Sequence, residues 1–296
     1  MNRQRKADLL LVMVTGFWGA SYFLTDLCLE SMPPLSLNAF RFLVAFAVLG
    51  TVYFRKLRHV SRKTWVYALL IGASLTMVYT CYVYGLMHTS ISNAGFICAL
   101  PVIFTPLLEL VVLRKAPSRR FALALILCTV GLALMTLGDT FRPALGDIIC
   151  LGTAFFYAVD LLLTDRAVRE PDVDPLQLGV LQLGVVGVIM LLLTCLLEEP
   201  QLPSTPATWG AALFLAVLCT GIAFVIQAVQ QQYTTASHVG LIFTLEPIFS
   251  AIVAYFFAHE VLGLRGYIGA ALMMLSLVLM EVDVAAWLKT KLTKKP

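Results

Sequence analysis

The chain has 296 residues, 60% of them hydrophobic and only 13% charged, with a net charge of +4 and a mean hydropathy of +0.89. Soluble domains carry charge on about a quarter of their residues, so a soluble fold of this length has no means of hiding so much apolar surface. The small positive excess is too weak to point to nucleic acid.

Arg3, Arg5 and Lys6 precede the first apolar run, which superficially resembles a signal peptide. The run continues through Thr15-Gly16-Phe17-Trp18-Gly19 to Leu29, about the ~20 residues a span needs, so a retained helix is expected over 8–29. Charges, prolines and glycines divide the rest into helices at 34–53, 65–87, 92–113, 120–137, 145–164, 175–197, 208–233, 237–257 and 263–281. Only the connections 54–64, 138–144, 165–174 and 198–207 have any length, which leaves no room for a soluble domain. The seven cysteines are odd in number, lack a CxxC pair and lie mostly in apolar runs. They read as small reduced hydrophobes, and no metal or cofactor is implied.

The chain also repeats itself. Thr89 to Met135 reappears, degraded, from Thr234 to Met280 at one fixed offset, with Gly95/Gly240, Ile97/Ile242, Leu100/Leu245 and Phe104/Phe249 among the matches. Pro34-Leu35-Ser36-Leu37 is answered by Pro175-Leu176-Gln177-Leu178. With the N-terminus inside, 18 of the 21 basic residues fall on the cytoplasmic side, leaving Arg142 and Arg265 at external edges and Arg41 within a span. The segment 54–64 carries five basic residues, whereas its counterpart 198–207 carries only Glu198 and Glu199, so the two lie on opposite faces. The expected fold is an all-α polytopic membrane protein of ten transmembrane helices. They form two inverted-topology five-helix repeats, residues 1–141 and 142–296, with both termini cytoplasmic. Gly16/Ala20 and Ala154/Ala158 are small-xxx-small pairs that suit close helix packing.

The order and duplication of several motifs resemble the EamA-type branch of the drug/metabolite transporter superfamily. The residues that carry the likeness are Phe17-Trp18-Gly19-Ala20, Pro34 followed by Arg41, Thr89-Ser90-Ile91-Ser92-Asn93-Ala94, Leu245-Glu246-Pro247-Ile248-Phe249 and His259-Glu260. The resemblance implies ten helices in the plasma membrane and a central cavity that carries small organic solutes, often outward. Two departures stand at helix ends: Lys115 where the second half has Glu260, and Ala258-His259 where glycine is usual.

Ionisable residues inside spans are costly and default to functional candidates. Glu246 lies near the midplane beside Pro247, and Pro101 aligns with it in the first half, so a proline interrupts both equivalent helices at one level. A midplane carboxylate suits a cationic group or a coupling proton; a structural carboxylate bonded to neighbouring helices is the alternative. Asp160 reads either as cavity-lining or as partner to a buried amide such as Gln182 or Gln227. Arg41 and Asp26 are close enough in depth to form an ion pair that locks two helices, with an anion-binding or gating role for Arg41 as the other reading. Glu109 is expected to snorkel or pair near Arg114, and His88 and His238 to cap span ends. Trp18, Tyr22, Tyr82 and Tyr157 join Asp160 and Glu246 as candidate substrate-binding residues. Together they suggest an aromatic, acidic pocket for organic cations or amines.

No GxxxxGK[ST], HExxH or GxSxG occurs, which disfavours nucleotide-driven pumps and the commoner membrane enzymes. The acidic loop of Glu170, Asp172 and Asp174 reads as a solvated linker rather than a metal site. The function expected is secondary active transport of amino acids, amines or drug-like metabolites. One five-helix half would rock against the other, driven by a proton gradient; a passive channel and a polytopic membrane enzyme are the alternatives. The partners are the bilayer, the solute and protons, and either a monomer or a homodimer fits.

Overall fold

The computed structural model describes residues 3–86, 88, 97–114, 116–136, 145–257 and 263–281, and every regular element among them is helical. The principal helices are α1 (Arg3–Leu29), α2 (Pro34–Val52), α3 (Arg62–Leu86), α4 (Pro101–Leu113) and α5 (Arg119–Thr136), then α6 (Leu145–Ala167), α7 (Pro175–Leu197), α8 (Pro206–Gln231), α9 (Ala236–Phe257) and α10 (Leu264–Glu281). Seven of them (α1, α2, α3, α6, α7, α8 and α9) are long and apolar enough to cross a membrane, and α4 and α10 are shorter apolar helices. Large apolar side chains such as Val111 and Leu196 stand more than 70% exposed, as lipid-facing residues do. The chain is therefore a polytopic all-α membrane protein. Thr89 to Ala94, Lys115, Arg142, Ala258, His259 and Glu260 lie outside the described residues.

Helix starts follow from local chemistry. Prolines occupy the first turns of α2, α4, α7 and α8, where a missing N–H costs nothing. Asp174 accepts from the Leu176 and Gln177 amides, and Thr205 and Thr208 cap α8 reciprocally. Pro33 caps α2 with no side chain, and a carboxylate from the other repeat does the work instead. Glu198 accepts from the Leu35 amide at 3.1 Å, the Ser36 amide at 3.0 Å and the Ser36 hydroxyl at 3.3 Å. The reverse clasp lies at the opposite end, where Gln177 Nε2 donates to the Lys56 and His59 carbonyls. Glu198→Ala should cost about 1–2 kcal/mol, the usual worth of a cap, read as a lowered melting temperature in detergent. Glu199→Ala should change it by less than about 0.5 kcal/mol.

The second repeat's echo of the first is visible in the backbone. Leu100 donates to Ile97 at 3.1 Å, and Ile103 and Phe104 donate to Leu100 at 2.9 and 3.1 Å. Leu245, Ile248 and Phe249 repeat those bonds onto Ile242 and Leu245 at the same distances. Helicity breaks at Ala99-Leu100 and again at Thr244-Leu245, immediately before Pro101 and Glu246-Pro247.

The repeats are interleaved rather than side by side. The large interfaces are α2 with α7, α3 with α6 and α7, α5 with α10, and α1 with α9, each joining one repeat to the other. Within repeats α7 packs closely on α8, but the corresponding pair α2 and α3 barely meets. Rocking of one whole five-helix half against the other would break almost every one of these interfaces. Close approach is built in: at Gly131 a Cβ would lie 2.6 Å from the Gly269 carbonyl oxygen, bringing α5 and α10 backbones together.

Candidate functional site

A cavity of about 700 Å³ opens among α1, α2, α3, α6, α8 and α9. Its walls come from the C-terminal portions of α1 and α3 and the N-terminal portions of α2 and α6, so it sits toward the face opposite the N-terminus. Trp18, Tyr22, Tyr82, Tyr157 and Glu246 all line it, together with Arg41 and Tyr79. A second lobe of about 430 Å³ shares Tyr22, Tyr157 and Glu246 and reaches Pro101 and Pro247 at the two helix breaks.

One irregular segment positions much of this site. Residues Leu215–Ile222 of α8 form a π-helix, whose wider turn leaves groups free of the ladder. The Trp18 indole donates to the Cys219 carbonyl at 2.8 Å, and Arg41 Nε donates to the Thr220 hydroxyl at 2.7 Å. Trp18 then sets an aromatic floor with Phe243, Phe224 and Tyr157 at ring-centroid distances of 4.7, 5.4 and 6.3 Å. Such edge-on packing adds to the burial these rings already supply.

Arg41 is 4% exposed, and no carboxylate lies within ion-pair distance of it among the described residues. Its guanidinium rests 5.3 Å from the Tyr79 ring and 5.8 Å from the Phe42 ring. Cation–π contact with these faces and one hydroxyl hold the cation at the cavity wall. The expected Arg41–Asp26 pair does not form: Asp26 is exposed and does not line the cavity. Glu246 opens the second half of α9, where the partial positive charge of a helix N-terminus complements a carboxylate, and Tyr22 lines the cavity beside it.

Asp160 is not in this cavity. Only 1% exposed, it sits beside Gln227 on α8, and one carboxylate oxygen has no hydrogen-bond partner among the described residues. The amide oxygens of Gln227 and Gln231 are likewise without a donor, while Gln231 Nε2 donates to the Leu161 carbonyl. Trp18, Tyr22, Tyr82, Tyr157 and Glu246 thus share the cavity without Asp160, and Arg41 joins them on its wall. Glu109 accepts from the Ser237 hydroxyl at 2.5 Å rather than pairing near Arg114. The His238 amide is capped by Thr235, and its ring lies 3.2 Å from buried Asp8. Arg169 donates to the Thr234 carbonyl at the same end of the bundle. Glu170 and Asp172 pair with Lys63.

The fold and cavity define a polytopic helical membrane protein with an internal cavity inside an interleaved, duplicated bundle. The chain belongs to the EamA-like transporter family, whose model matches it twice, at residues 5–137 and 144–282. It is similar to an "Uncharacterized transporter" of Archaeoglobus fulgidus, 25% identical over 94% of this chain and 86% of that one. It is also similar to "Uncharacterized transporter YwfM" of Bacillus subtilis, 26% identical over 93% of each chain. A solved crystal structure shares the fold with a TM-score of 0.80 at 17% identity, covering 94% of this chain and 96% of its own. The protein is accordingly a membrane transporter.

Proposed function

We propose that the protein carries amphipathic zwitterions of the amino-acid class, coupled to protons and in the outward direction, across the plasma membrane. The carrying observation is that one aromatic-lined cavity presents an unpaired guanidinium, Arg41, and a carboxylate, Glu246. An α-carboxylate would fork onto Arg41 and an ammonium would meet Glu246, with an apolar side chain laid against Trp18 and Tyr157. All ten helices span the bilayer as repeats 1–141 and 142–296, with both termini cytosolic. The cavity's place toward the face opposite the N-terminus would then make this the outward-facing form.

Alternation would exchange the unlike pairs, closing α2 on α3 while α7 parts from α8, as inverted repeats permit. Pro101 and Pro247 mark the helix breaks where backbone polar groups reach the chamber. The coupling proton is placed on Asp160, because its carboxylate and two neighbouring amide oxygens are acceptors in want of a donor hydrogen. Concentrative uptake of labelled phenylalanine into proteoliposomes, driven by an imposed proton gradient, tests the reading; flux that only equilibrates would identify a channel instead. Asp160→Asn should keep solute exchange within about twofold of wild type but lose proton-driven accumulation, since the substrate site is untouched.

A further inference from the structure

A groove of about 1,010 Å³ runs along the outer surface between α3 and α6, at the face bearing the N-terminus. Its charged lining is Arg62, Lys63, Arg166 and Glu170, the last paired to Lys63, and the rest of its wall is mainly apolar, with Val66, Leu70 and Leu163. Lys63 is held by Glu170 at 3.0 Å and Asp172 at 3.1 Å. Arg62 and Arg166 are exposed and have no ion-pair partner among the described residues. Trp65, 45% exposed and one turn along α3 from Arg62, marks the headgroup level, where indoles settle. Leu70 lies eight residues from Arg62, about 12 Å deeper at the helical rise. Two unneutralised guanidinium groups therefore stand above an apolar slot that continues toward the hydrocarbon.

We infer that this groove is a binding site for one anionic phospholipid, its phosphate bridged by Arg62 and Arg166 and an acyl chain lying over Val66, Leu70 and Leu163. A free anion would use the mouth and ignore the slot; a zwitterionic lipid would use the slot but bring its own cation to two others. Because α3 belongs to one repeat and α6 to the other, an occupant of the groove would sit across one of the principal interfaces between them.

Native mass spectrometry of delipidated protein titrated with dioleoylphosphatidylglycerol or dioleoylphosphatidylcholine tests this directly. At about 1 kcal/mol for each arginine, phosphatidylglycerol should be preferred about 30-fold. Arg62→Gln/Arg166→Gln should reduce the preference to about threefold or less, while Arg55→Gln/Arg58→Gln, on the same face but outside the groove, should retain it. Val66→Trp/Leu163→Trp, which fills the slot and leaves the charges, should also weaken phosphatidylglycerol binding. Wild type without a preference, the Gln pair retaining it, or the control pair losing it equally would overturn the assignment. So would displacement of the lipid by inorganic phosphate at about 10 mM, enough to fill a site of millimolar affinity, which would mark a free-anion site.

Discussion

Gly19→Ala should be among the most damaging single substitutions in α1. An added Cβ there would collide with Phe249 Cβ and lie 2.8 Å from the Ser250 nitrogen and 2.9 Å from the Phe249 carbonyl carbon. Two of those atoms are backbone and have no rotamer by which to withdraw. Relief therefore requires α1 and α9 to separate, and overpacking of this kind costs about 1–3 kcal/mol. The displacement would act on function too, because Trp18 and Ser21 flank the glycine and line the chamber. The expected result is a clearly lowered melting temperature in detergent together with a loss of transport exceeding the loss of folded protein. Gly16→Ala, one turn earlier, meets only Phe249 ring carbons at 3.8 Å and should be neutral. Equal effects at the two positions would contradict the tight α1–α9 contact.

Arg41→Gln and Glu246→Gln should each weaken solute binding by about tenfold to a hundredfold, the worth of one charge-assisted hydrogen-bond pair. Arg41→Gln leaves a donor for the Thr220 hydroxyl, so the folded state should survive and the loss should appear in affinity. Arg41→Lys keeps the charge but not the fork, and should recover only part of the binding. Asp26→Asn, at an exposed position away from the cavity, should bind as wild type does. Affinities from calorimetry, read beside melting temperatures, separate these cases.

How much of this was legible beforehand differs by feature, for physical reasons. Long apolar runs and prolines announce helices and breaks directly, so the repeat, the interruptions near Pro101 and Pro247, and the family were all within reach. Depth along a span is also readable by counting residues, so Trp18, Tyr22, Tyr157 and Glu246 could be grouped from the sequence, and all four line the cavity. Azimuth is not. A helix that is apolar on nearly all sides carries little periodic signal to mark its cavity face. Asp160, three residues beyond Tyr157, thus turns to Gln227 while the tyrosine faces the chamber. The same blindness paired Arg41 with Asp26 by depth, when the guanidinium instead faces the aromatic wall.

The π-helix over Leu215–Ile222 has no residue signature, since Leu, Ala, Val, Cys, Thr and Gly occupy ordinary helices as well. Only the structure shows that this segment supplies the acceptors for Trp18 and Arg41. Interleaving is hidden in a similar way. Repeats in a sequence disclose symmetry, but they do not say which helix packs upon which.

The most direct test of the two-signed chamber compares three matched ligands, phenylalanine, phenethylamine and 3-phenylpropanoate, by calorimetry on wild type, Arg41→Gln and Glu246→Gln. Wild type should bind the zwitterion at least about tenfold more tightly than either singly charged analogue. Arg41→Gln should erase the advantage over the amine, and Glu246→Gln the advantage over the acid. Equal binding of all three ligands by wild type, or variants that leave the ranking intact, would contradict the account.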